Sequence, residues 1–84
     1  MVYVDKMFYW PKKGYWCHMW ADTEDELHNT AKRIGLRKHW FQKKGVVHHY
    51  DLVESKRKLA IIDGAKEMSL KDYVREILKK GFKL

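Results

Sequence analysis

Three groups of residues have types and spacings that could do chemistry. The first is Ser55-Lys56-Arg57, set just ahead of the apolar run Leu59-Ala60-Ile61-Ile62. The β-branched and aromatic segment 46–53 precedes it, so the junction reads as a short buried strand feeding a helix with Ser55 at its N-cap. Free backbone N–H groups at such a helix start can hold a phosphate. The Ser55 hydroxyl could add a bond and Arg57 a bidentate pair. Lys56, Arg57 and Lys58 fall in the first turn and Asp63 in the last. The helix dipole favours the opposite, by about 0.3–1 kcal/mol per charge. A bound anion would offset that cost, and a solvated basic turn is the plain alternative. Binding is preferred, because the other two helices expected from this sequence are charged in the favourable sense.

The second group is His49 and Asp51, two residues apart and therefore on one face of a strand, with Tyr50 on the other. Together with His18 and with Asp5 or Asp22 they could form a His/carboxylate metal site. Their spacing matches no recognised metal motif, so the simpler reading is a hydrogen-bonded pair at a strand end. No metal or cofactor is expected. His49 could also serve as a general base oriented by Asp51. Neither Ser55 nor Cys17 has a sequence-defined elbow or a neighbouring base, so no catalytic residue is assigned. A dimer could close a site that so small a chain leaves open.

The third group is Trp40-Phe41-Gln42, flanked by Arg37, Lys38, Lys43 and Lys44. A base could stack on Trp40 while Gln42 reads its edge. One of the two rings should instead plug the edge of the sheet. His28 and the lone Cys17 are read as structural.

The elements that must position these groups follow from the pattern of the chain. Val2-Tyr3-Val4-Asp5 alternates as a short strand, and Met7–Trp10 is apolar but irregular. After the turn Pro11-Lys12-Lys13-Gly14, residues 15–20 read as a buried strand with Trp16, His18 and Trp20 on one face. Thr23 and Glu26 form a capping box, Leu27, Ala31 and Ile34 the buried stripe of the helix behind it, and Gly35 its end. Residues 65–68 form a weak strand. Ser69 opens a last helix with Leu70, Tyr73, Val74, Ile77 and Leu78 on one face, capped by Gly81. Strands alternating with helices predict a single α/β domain over residues 1–84, with a small, largely parallel sheet of three to four strands and about three packed helices. Ligands gather beyond the carboxyl ends of strands in such sheets, which would bring Asp5, His18 to Asp22 and His49 to Asp51 together.

Size and charge set the outer bounds. Eighty-four residues make one domain with a modest core, and the formal net charge of +7 suits a polyanionic or phosphorylated partner. No apolar run is long enough for a membrane span. The start Met1-Val2-Tyr3-Val4-Asp5 lacks the layout of a signal peptide, and one cysteine permits no internal disulfide. A cytoplasmic protein is expected.

Several blocks resemble one small family. They are Cys17-His18-Met19, Ala21-Asp22-Thr23, Glu26-Leu27-His28, Arg33-Ile34-Gly35, Trp40-Phe41-Gln42, His49-Tyr50-Asp51-Leu52, Ser55-Lys56-Arg57 and Gly64-Ala65. Their order and spacing resemble the bacterial and phage family catalogued as domain of unknown function 4031, across essentially the whole chain. Trp20 stands where a smaller aliphatic is usual, and His48 where Pro is expected. The resemblance implies a bacterial or phage ancestry and carries no activity, so function rests on the residues. They favour a domain that binds a phosphorylated small molecule, a nucleotide above all, through His18, Asp22, Trp40, Gln42, His49, Asp51, Ser55, Lys56 and Arg57. In a phage such binding would suit a sponge for a host nucleotide signal. The alternatives are a basic nucleic-acid-binding accessory protein, with weak and unspecific affinity, and then a metal-dependent enzyme acting on nucleotides.

Overall fold

The computed structural model describes residues 1–45 and 47–80. Its frame is a hairpin. One arm holds β1 (Val2–Val4) and β2 (Phe8–Trp10), and the other is β3 (Gly14–Ala21). Both short strands run antiparallel to β3, with Val4 opposite Met19 and Phe8 opposite Trp16. Residues 5–7 therefore face only residues 17 and 18, so the first arm carries one extra residue. Such a bulge bends a strand and re-aims a side chain; here the side chain is Asp5. The turn closes with Gly14 at φ 87° and Lys12 at φ 70°.

Helix α1 (Glu24–Arg33) follows, its first N–H groups met by the side chain of Thr23, which accepts from Glu26 N. A 3-10 turn at Lys38–Trp40 leads to β4 (Tyr50–Leu52), which pairs antiparallel with the free edge of β3, Met19 facing Tyr50 and His18 facing Asp51. Then come α2 (Glu54–Ile62), β5 (Lys66–Glu67) and α3 (Leu70–Lys79). Among the described residues only β5 lies parallel to its neighbour, β1. The sheet is thus mixed rather than largely parallel. The irregular apolar stretch before Pro11 proves to be a strand, and a hairpin joined by a tight turn can only be antiparallel. The strand expected over the segment from residue 46 shrinks to Tyr50–Leu52, preceded by an isolated bridge between Gln42 and His49. Val46 and the expected cap Gly81 lie outside the described residues.

Alternation sorts the side chains. Val2, Val4, Cys17, Met19, Tyr50 and Leu52 share the buried face, packed with Leu27, Ala31 and Ile34 from α1 and Ala60 from α2. Burial pushes the Cys17 thiol up to about 12, as an inert core thiol requires. Tyr50 lies under α1, where its hydroxyl meets His28 Nδ1 at 2.8 Å, which gives His28 the structural role expected of it. On the opposite face α3 covers only one end: Tyr73 packs on Tyr3 and Trp20, with ring centroids 5.0 and 5.6 Å away. The other end of that face, bearing Trp16, His18 and Asp51, is left uncovered by the described residues, as one side of an antiparallel sheet commonly is. No helix among the described residues is long and apolar enough to cross a membrane.

Candidate functional site

The uncovered face assembles its groups strand by strand. The bulge turns Asp5 toward β3, where Asp5 Oδ1 accepts from His18 N at 2.6 Å and Oδ2 meets His18 Nδ1 at 2.7 Å. That bond to Asp5 holds the His18 pKa above its ordinary value, against the opposing pull of burial. Cross-strand pairing sets Asp51 beside His18, with Asp51 Oδ1 4.0 Å from His18 Nε2 and 3.4 Å from His49 Nε2. His49 Nδ1 donates to Val47 O at 2.9 Å, while Gln42 Nε2 donates to Asp51 Oδ2. The two imidazole rings meet edge to face, 4.8 Å between centroids. Phe8 lies against the His18 ring at 5.0 Å.

One ligand atom from each of His18, His49 and Asp51 falls within 4.8 Å of the others, so these three could hold a metal ion. They stand at the floor of an open groove of about 1230 Å³, whose lining also includes Trp10, Lys13, Trp16, Gln42, Lys43 and Lys44. Gln42 and His49 exchange both backbone bonds, at 2.9 and 3.1 Å, and so pin the base of the loop that carries Lys43 and Lys44. Trp16 is itself fixed, its indole N–H donating to Lys13 O at 2.8 Å.

Of the residues singled out from sequence, His18, Gln42, His49 and Asp51 come together here. They meet on a sheet face, not beyond the carboxyl ends of parallel strands, because the pairing is antiparallel. Asp22 is elsewhere, accepting from the hydroxyls of Tyr3 at 3.2 Å and Tyr73 at 3.0 Å. Trp40 is exposed on the 3-10 turn and does not line the groove, whereas its neighbour Phe41 packs on Tyr50 and plugs the edge.

The basic helix start has a different occupation from the one expected. Val53, not Ser55, is the N-cap of α2, and Glu54 puts an acid in the first turn. Lys56 Nζ donates to Ile34 O, the carbonyl at the end of α1, at 2.8 Å. Arg57 Nε donates to Asp5 O at 2.8 Å and Nη2 to Glu67 Oε2 at 2.6 Å. Lys58 pairs with Glu54 at 3.3 Å, and Asp63 with Arg33 from the last turn of α1 at 2.9 Å. The reversed charges of α2 thus find partners within the protein, Lys56 and Asp63 at α1, Arg57 at Asp5 and Glu67, and Lys58 within α2 itself, and no bound anion is needed to account for them. Arg57 props the carbonyl of the residue that orients His18, and so supports the groove from behind. Sequence reasoning missed Trp10, Trp16 and Lys13 as groove residues; the signal was the turn Pro11-Lys12-Lys13-Gly14 between two aromatic segments, the mark of a hairpin.

A small mixed α/β domain with a His/Asp cluster and aromatic and basic side chains on one open sheet face is the class that fold and site define. The chain matches the family described as protein of unknown function (DUF4031) over residues 2–80, and it belongs to that family. No curated protein and no solved structure matches it.

Proposed function

We propose that this protein binds a phosphate-bearing small molecule, a nucleotide, in the groove over His18 and Asp51, and that its task is binding rather than turnover. The observation that carries the reading is the convergence of Trp10, Trp16, Lys13, Lys43 and Lys44 around that cluster. Indole faces stack on a base without demanding a particular one, and lysines meet phosphate as flexible point charges. Asp51 repels phosphate but accepts from ribose hydroxyls or a base amino group, which orients the ligand with its phosphates toward Lys43 and Lys44. Trp10 is 48% exposed, so its ring is available without rearrangement of the core.

Titration of the protein with purine and pyrimidine nucleotides, followed by calorimetry and by tryptophan emission, tests this. Trp10→Ala should weaken binding by about 1–3 kcal/mol, the worth of one stacked base. Lys43→Ala with Lys44→Ala should weaken triphosphates more than the parent nucleoside. Unchanged affinity in both variants would remove the ligand from this groove.

A further inference from the structure

We propose that His18 Nε2, His49 Nε2 and the Asp51 carboxylate together bind one divalent first-row transition-metal ion on the open face of the sheet. His49 Nδ1 meets the Val47 carbonyl, which can only accept, so Nδ1 carries the proton and the neutral ring has its lone pair on Nε2. His18 Nδ1 faces the Asp5 carboxylate, which fixes the same tautomer. Nε2 of His49 and Nε2 of His18 then stand 3.4 and 4.0 Å from Asp51 Oδ1, so three acceptors converge with no donor between them among the described residues. Such an arrangement is resolved by a proton or by a cation.

The outer contacts favour a cation. Imidazoles that bind metals characteristically donate their remote N–H to a carboxylate or a backbone carbonyl, and ligating carboxylates are hydrogen-bonded in turn. All three conditions are met, by Asp5, Val47 and Gln42. A tetrahedral ion with bonds of about 2.1 Å spaces its ligands by about 3.4 Å. The His49–Asp51 separation is already 3.4 Å and all three atoms lie within 4.8 Å, so small rotations of His18 close the set. Two imidazoles with one carboxylate suit zinc, iron(II), cobalt or nickel better than magnesium or calcium, which prefer oxygen. Three protein ligands on one side leave the remaining positions open to the groove. The ion would then present its open positions to water in the groove.

The test uses the full chain stripped with chelator and titrated with zinc(II) or cobalt(II) alone, by calorimetry and by the visible spectrum of cobalt. One ion per chain is expected, with a cobalt spectrum of four- or five-coordinate geometry. His49→Ala and Asp51→Asn should abolish the saturable site. Asp5→Asn, a change in a positioning residue, should weaken it about 10–100-fold while leaving the cobalt geometry unchanged. His39→Ala, on the exposed turn, should leave it untouched. Thermal melts of each variant confirm folding, and His49→Gln stands in should the alanine variant fail to fold. Absence of saturable binding by the folded wild-type chain overturns the proposal, as does full binding by folded His18→Ala and His49→Ala. Because no phosphate ligand enters the titration, failure here leaves the nucleotide reading standing, and failure of that reading leaves this one.

Discussion

Arg57 ties the start of α2 to the bulge at Asp5 and to β5. It sits second in a run of three cations, yet its side chain is only 15% exposed and both ends of its fork are engaged. Removal would leave the Asp5 carbonyl without its charged donor and Glu67 without its partner. Charge-assisted bonds of this kind contribute about 1.5–3 kcal/mol. Arg57→Ala should therefore lower stability by about 2 kcal/mol in urea unfolding, a loss shared with no exposed lysine of the groove. Full stability together with lost phosphate binding would instead return the start of α2 to the ligand site. His18, His49 and Asp51 were recognisable in the sequence as a potential cluster because alternation puts His49 with Asp51 and because all three have ligand chemistry. Asp5 was a candidate beside Asp22 and Gln42 was assigned to the ligand, but that Asp5, Gln42 and Val47 would be their hydrogen-bond partners was not legible, because the bulge and the isolated bridge that place them leave no periodic trace.

At the scale of the element, the caps of α1 and α3 and the stripe of α1 were legible, whereas the cap of α2 is Val53 rather than Ser55 and Leu78 of the expected α3 stripe is exposed. Thr23 and Ser69 accept from the N–H groups of Glu26 and Asp72, and the α1 stripe Leu27, Ala31 and Ile34 is buried. These features are local, so the sequence displays them whole. Strand direction is not local. The third residue of a three-residue strand looks the same whether its neighbour runs parallel or antiparallel, and the order of pairing depends on which edge the returning chain meets. The hairpin was hidden for another reason: with one register slip at residues 5–7, Phe8–Trp10 falls out of alternation with Val2–Val4. The buried strand β4 offers a test of the split between its faces. Tyr50 is 1% exposed, so Tyr50→Ala should cost about 3–5 kcal/mol. Tyr50→Phe removes only the bond to His28 and should cost about 1 kcal/mol. Both losses should appear in denaturant midpoints without a change in metal or nucleotide affinity once the chain is folded, because the ring lies on the face opposite Asp51. An affinity loss equal to that of Asp51→Asn would mean that the two faces are coupled.

The whole molecule is a covered sheet face, a half-covered one and a net charge of +7. Charge of that size draws any polyanion, so nucleic acid is the competitor a nucleotide must be told apart from. The groove is open rather than enclosed and is lined in part by the hairpin, so a single strand competes with a mononucleotide for it. The two differ in what holds them. A strand that neutralises Lys13, Lys43 and Lys44 engages about three phosphates, and affinity should then fall roughly 20-fold between about 50 and 200 mM salt. A mononucleotide held by one stacked base and two lysines has fewer counterions to release, so its affinity should fall much less over the same range. The expected outcome is weak, salt-sensitive binding of single strands with no sequence preference, beside nucleotide binding that persists at the higher salt and is lost in Trp10→Ala. Fluorescence anisotropy on labelled strands and calorimetry on the nucleotide, run in parallel at both salts, separate them. A salt-resistant complex with one defined sequence would reverse the order and make this face a nucleic-acid reader, with the stacked indoles selecting bases along the strand.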